Sequence, residues 1–225
     1  FGIFNACWSL YAAMPSIREH SIITAYEKCG WDVDASEHKL DTPIFPIVDD
    51  VVVCVKDYID RSDYSADTKG DYKAAIEKRL QDLCEGMFDK MFNRGSISDE
   101  ELFNKNTIID LSRTGSAETN ALIMGFLVIK LNEFRMSEGG MNRTLNHVTI
   151  LEEAHNLLKK TSTDQSQENS NLAGKSVEMI TNTIAEIRTY GEGFIIVDPS
   201  PSSVDIAAIK HINTTIVLRT TAAND

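Results

Sequence analysis

The sequence predicts an α/β fold: a mainly parallel sheet of about four or five strands, flanked by helices, with a helical insertion near its front. Three observations predict it. Short runs rich in β-branched residues, "NTIIDLS", "HVTILEE", "GFIIVD" and "TTIVLRT", recur through the second half. Helix-periodic stretches separate them, as in chains that return to the same sheet edge. The runs end in polar residues, Asp110–Ser112, Glu152–Glu153, Asp198–Ser200 and Arg219–Thr220. In open parallel sheets, ligands bind at that carboxyl edge.

The elements follow in chain order. Residues 1–13 are apolar and predict a buried first strand that reaches a loop at Met14–Pro15. Ser16 and Glu19 have capping-box spacing, so a helix should run through Ile22, Ile23 and Tyr26 to a stop at Gly30. "VVVCV" is strand-like in composition, but Ile47, Val51, Val52, Val55, Tyr58 and Ile59 repeat every three to four residues behind Asp49 and Asp50. That spacing predicts a helix over 47–59. A second amphipathic helix is expected over 71–92, and "NRGSISDEE" is a surface turn. These two helices read as core or subunit-packing elements of an insertion over 16–105. Residues 106–112 predict a strand, 117–135 a helix apolar almost all round, and 147–153 a strand. The polar run 159–174 reads as a mobile loop with Lys159 and Lys160 at its entrance. A helix over 176–190 ended by Gly191, a strand over 193–198, a short helix over 204–212 and a last strand at "TTIVLRT" complete the order.

Composition narrows the class. With 225 residues, 42% hydrophobic and 25% charged, the chain has material for an ordinary globular core. The longest apolar stretch, Ala121–Leu131, is too short to cross a bilayer and contains a lysine. The first residues lack a starting Met and a charged leader, and the sequence reads as a piece of a longer protein. Cys7, Cys29, Cys54 and Cys84 show no CxxC spacing and are expected as free thiols of a reducing compartment. A net charge of −12 argues against sequence-independent coating of nucleic acid, while leaving room for a local basic grip on a phosphate backbone.

The chemistry is concentrated in "HVTILEEAHN", residues 147–156. An apolar strand that ends in two adjacent carboxylates places like charges together, which costs energy unless water or a cation attends them. The bland account is a strand followed by a helix with acids at its positive pole. The sharper account is a Mg-nucleotide site: Glu152 directs hydrated Mg²⁺ through water, and Glu153 accepts a proton from, or polarises, the attacking water.

The decapeptide, extended to "HVTILEEAHNLL", resembles the Walker B segment of the HerA–FtsK superfamily of P-loop ATPases. "AAMPSIREHSIITAYEKCGWDV", "IIDLSRTGSAETNALIMGFLVIKL", "AGKSVEMITNTIAEIRTYGEGFIIVD" and "INTTIVLR" are similar, in this order, to segments of bacterial HerA-like ATP-binding proteins. The resemblance implies a RecA-like P-loop NTPase core and one domain over 1–225. Within it, 1–15 would be the first strand and 106–225 the Walker B half. It also implies ATP and Mg²⁺ as cofactors, a hexameric ring, duplex DNA as partner, a partner nuclease or effector, and a cytoplasmic helicase or translocase. Glu152 falls at the magnesium-directing position, where many relatives have Asp, and Glu153 at the catalytic glutamate. Arg219 and Arg188 match family arginines suited to contact phosphate, because a guanidinium fork binds oxygens and stays charged. For each, the plain alternative is a surface cation near a helix end.

Two departures qualify the match. Relatives carry a γ-phosphate-sensing Gln where this chain has Pro199, which offers no side-chain donor and no N–H, so Asp198 or Ser200 would have to substitute. The motif G-x-x-x-x-G-K-[ST] is also missing. "LAGKS" at 172–176 fails because its first glycine would be Asn169 and because it follows a polar run instead of a strand. Weak or no nucleotide binding and no turnover are therefore expected of these 225 residues alone. A conjugation or type IV secretion ATPase and a non-hydrolysing nucleotide-binding or oligomerisation module are the alternatives. Other chemistries lack their partners. Glu152-x-x-His155 has no second copy for a di-iron site, so His155 reads as a hydrogen-bonding residue after the strand or a coupling residue toward DNA. The remaining histidines have no zinc spacing, "YGEGFI" is no dinucleotide fingerprint, and no G-x-S-x-G elbow exists.

Overall fold

The computed structural model of the protein describes residues 1–8, 10–93, 97–160 and 167–218, those of 167–173 by their backbone alone. In chain order its elements are α1 (Gly2–Cys7), α2 (Met14–Lys28), β1 (Trp31–Asp32), β2 (Glu37–His38), α3 (Val48–Arg61) and α4 (Ala66–Tyr72). A π-turn (Lys73–Glu77) leads to α5 (Lys78–Asp82), α6 (Gly86–Phe92), α7 (Asp99–Phe103) and α8 (Ala117–Ser137). Then come β3 (His147–Glu152), α9 (Gln167–Glu186), β4 (Glu192–Val197) and α10 (Ile206–Lys210). The chain forms two compact units, one of residues 1–9 and 97–225, the other of residues 10–96.

The fold is mainly helical, and this overturns the expected RecA-like parallel core. Among the described residues only two two-stranded sheets form, β1–β2 antiparallel and β3–β4 parallel. Three predicted strands account for the difference. Residues 2–7 are helical, and a Cβ added at Gly125 of α8 would lie 2.6 Å from Ile3, so α1 lies against a notch that only glycine leaves open. Residues 106–112 and 214–218 make no ladder, and Ile108, Ile216 and Leu218 are more than four-fifths exposed. β-Branched composition reports how well a residue fits a half-buried pleated surface. Without a neighbouring strand those runs have nothing to fit.

In the first unit, α1, α8 and α9 pack together beside the strand pair. Met124 and Val128 of α8, Ile180 and Ile184 of α9 and Leu151 of β3 share one core. Each such side chain, fully buried, contributes about 1.5–3 kcal/mol of transfer free energy. The strands alternate as the period of two requires. Leu151 and its partner Ile196 face this core, whereas Val148, Ile150, Glu152, Ile195 and Val197 point outward and are exposed. α8 is capped by Ser116, whose hydroxyl accepts from the Thr119 amide, and it matches the expected helix. α9 begins at Gln167, inside the run expected as a loop; residues 161–166 of that run lie outside the described residues. Gly191, at φ 84°, closes this helix, as its position in the sequence predicts.

In the second unit, α2 and α3 pack along each other and α5 and the π-turn lie against α3. α3 fills the span predicted from its three-to-four spacing, and the Ile47 amide donates to Asp50 across its first turn. α2 starts two residues before the expected Ser16 cap, with Pro15 in its first turn. The predicted 71–92 helix is interrupted after Asp82, and Gly86, at φ 60°, lies at the restart. The four cysteines are free; Cys54 is buried and the other three half-buried. Burial, with Glu118 as a lesser cause, pushes the Cys7 thiol up to about 12.

Candidate functional site

β3 and β4 run parallel in a register that pairs Glu152 with Val197, so residues 152–153 and 198 leave the pair at the same end. Glu152 is the last strand residue and is exposed on the outward face. Among the described residues its carboxylate has no hydrogen bond or ion pair. Glu153 has φ 52° and ψ 45°, the left-handed region. A residue with a Cβ pays roughly 1–2 kcal/mol there, and such strain gathers at functional sites. A short 3-10 turn, Ala154–Asn156, follows, with Ala154 wholly buried beneath it.

Asp198 holds this turn in place. Its Oδ2 accepts the His155 amide at 2.7 Å and His155 Nδ1 at 2.9 Å, and its Oδ1 accepts the Ser200 amide at 2.8 Å. The Asp198 side chain is 5% exposed. Its oxygens are thus filled by donors of its own chain. With a carboxylate as partner, Nδ1 carries the proton, and His155 Nε2 is left as an acceptor with no partner among the described residues. Glu153 Oε2 stands 3.6 Å from Nδ1, near enough for charge attraction and too far for a hydrogen bond. The loops after the two strands are further tied by the Asp205 amide on the Leu158 carbonyl and the Lys160 amide on the Ser203 carbonyl.

The remaining candidates are more scattered. The Ser200 hydroxyl accepts from Ser203 at 3.3 Å. Lys159 and Lys160 are exposed just beyond the tied turn. Arg188 is exposed in the turn before β4, at the amino end of the strands, a strand length of roughly 17 Å from the acids. Arg219 lies outside the described residues. Asp110 does not end a strand. It sits in a turn where the Ser112 amide donates to it, which holds its carboxyl below the usual range.

The opposite end of the strand pair holds a site that sequence reasoning missed. Glu192 is buried and accepts from Arg135 Nε at 3.0 Å, His147 Nδ1 at 2.7 Å and the Thr149 hydroxyl at 2.7 Å. Arg135, equally buried, also donates to Asn104, Glu138 and the Phe103 carbonyl. Only the adjacency of Glu192 to two glycines marks it in the sequence, and that signal carries no information about a partner 57 residues away.

Mg²⁺ requires little of a protein, usually one or two carboxylates plus phosphate oxygens and waters. Glu152, exposed and unbonded, fits such a water-mediated role. Among the described residues no three His, Cys, Asp or Glu converge on a point, so a closed all-protein cation cage is not what the acids build. The sequence contains no G-x-x-x-x-G-K-[ST] cradle for the phosphates. A cavity of about 760 Å³ lies elsewhere, in the second unit, between His20 and Lys28 of α2 and Asp57 and Tyr58 of α3.

No family model matches the chain, and neither the curated proteins nor the solved structures contain a match. Among the described residues no helix is long and apolar enough to cross a membrane.

Proposed function

We propose that this chain supplies the acidic half of an ATP-hydrolysing site in a cytoplasmic motor of the HerA type that moves along duplex DNA. The observation that supports the reading is the shared exit of Glu152, Glu153 and Asp198 at the carboxyl end of a parallel strand pair. Two neighbouring exposed carboxylates with no hydrogen-bond donor on them among the described residues suit a site completed by a cation and a triphosphate. Bound Mg²⁺ would offset charge on the β- and γ-phosphates. Glu152 would hold the ion through its water shell, and Glu153 would hold and polarise the attacking water. Arg188 lies too far from the acids to serve them within one chain, so in this reading it, or Arg219, acts across a subunit boundary of a ring. In this reading the phosphate cradle is not supplied by these residues, which carry no G-x-x-x-x-G-K-[ST].

A second reading, a nucleotide-binding or oligomerisation module without turnover, draws on Pro199 and on the filled oxygens of Asp198, neither of which is free to sense a γ-phosphate. The whole protein, with whatever sequence flanks these residues, separates the two. The motor reading expects Mg²⁺-dependent binding of a fluorescent ATP analogue and phosphate release stimulated by duplex DNA. Glu152→Gln should remove the Mg²⁺ dependence. Binding without phosphate release would favour the module, and no binding would end both.

A further inference from the structure

The Asp198–His155 pair does more than tie two loops. Asp198 is almost completely buried, commits Nδ1 of the imidazole, and leaves Nε2 with no partner among the described residues on a ring that is 32% exposed. A loop tie alone is already made by the His155 amide, which reaches the same Oδ2 at 2.7 Å, and the side-chain bond adds control of the tautomer. A carboxylate that fixes one imidazole nitrogen so that the other can accept a proton is the arrangement of a general base. Two carboxylates flank the ring, Asp198 at 2.9 Å and Glu153 at 3.6 Å from Nδ1, and both attract a positive charge formed on it. An imidazole is also the side chain whose ordinary basicity best matches proton transfer at neutral pH.

We propose that His155 takes the proton of the attacking water, with Asp198 as its positioning residue and Glu153 as the group that holds the water. This rests on the reading of the acids as a nucleotide site. As the water oxygen bonds to the γ-phosphorus, its O–H bond breaks and the proton passes to Nε2. The bond from phosphorus to the bridging oxygen breaks, and its electron pair leaves with ADP. The imidazolium then releases the proton to solvent. ATP and water become ADP, phosphate and a proton, with no other reactant.

Two measurements test the proposal. On the 225-residue chain, ¹⁵N NMR of the histidines should show His155 protonated at Nδ1 and bare at Nε2; the opposite tautomer overturns the dyad without any variant being made. In the whole protein, His155→Ala should lower phosphate release by about 100-fold or more while the nucleotide Kd moves by less than about threefold. Added imidazole should restore part of the rate, which a purely structural histidine would not allow. Asp198→Ala removes the acceptor that fixes Nδ1. It should free the ring to take either tautomer and slow release by a similar factor at unchanged Kd. If wild-type protein binds and hydrolyses ATP but His155→Ala releases phosphate within about threefold of it, or imidazole restores nothing, the dyad is wrong and the acid site stands. If wild-type protein binds no nucleotide, the acid site itself is wrong and the dyad falls with it.

Discussion

The two ends of the β3–β4 pair carry carboxylates in opposite circumstances. At the amino end Glu192 is buried and bonded to Arg135, His147 and Thr149. At the carboxyl end Glu152 and Glu153 are exposed and adjacent, and the imidazole of His155, 3.6 Å from Glu153, is the ionisable partner that the described residues bring to them. A buried charge persists only where donors surround it, so Glu192 is an element of the fold. An exposed pair of like charges contributes nothing to the fold that a neutral pair would not, and one member is held in a strained backbone. The difference separates a carboxylate the fold needs from carboxylates the fold carries.

Substitutions should reproduce that difference. The largest effect belongs to Glu192→Ala, which leaves the Arg135 guanidinium buried without its main counter-charge. Urea unfolding should show a loss of about 3–5 kcal/mol. A loss under about 1 kcal/mol would erase the contrast between the two ends.

Glu138, on the rim of the same network, comes next. Its partial burial pushes its carboxyl up, but hydrogen bonds from Arg135 and Asn104 and the nearby Arg143 outweigh this and hold it below the usual range. A depressed folded value means the stabilisation is complete above the unfolded carboxylate range and disappears as pH falls through the folded value. Glu138→Gln should therefore cost about 1 kcal/mol at neutral pH, and the two proteins should converge in acid, as followed by thermal melting across pH. Parallel curves would remove Glu138 from the linkage.

At the other end the sign reverses. Glu153→Gly relieves the left-handed backbone and should raise stability by about 1 kcal/mol, while abolishing turnover in the whole protein. Smallest of all, Glu152→Gln should leave unfolding within about 0.5 kcal/mol of wild type, since an exposed, unbonded carboxylate supports little.

Legibility in the sequence followed the same physics. α3 was readable from its three-to-four spacing, and α8 from an apolar run too long for a strand. β3 and β4 were readable, as was their delivery of acids to one end. The strand reading failed at 2–7, 106–112 and 214–218, where a short apolar run does not say what it will pack against. With those strands the RecA-like core was lost as well. In the site, Glu152, Glu153 and Asp198 were legible as a group. The role of Asp198 was not: read as a ligand for phosphate, it is the acceptor for His155, a residue 43 positions away. The left-handed turn at Glu153 leaves no trace in residue type, because a non-glycine there contradicts local preference and is imposed by the packing around Ala154 and the bonds to Asp198.

ATP turnover by the whole protein in the presence of duplex DNA, wild type beside Glu153→Gln, tests the acid site most directly. The predicted result is a fall in phosphate release of about 100-fold or more with nucleotide still bound. Equal rates in the two proteins would contradict it, and would return Glu153 to the status of an ordinary surface acid.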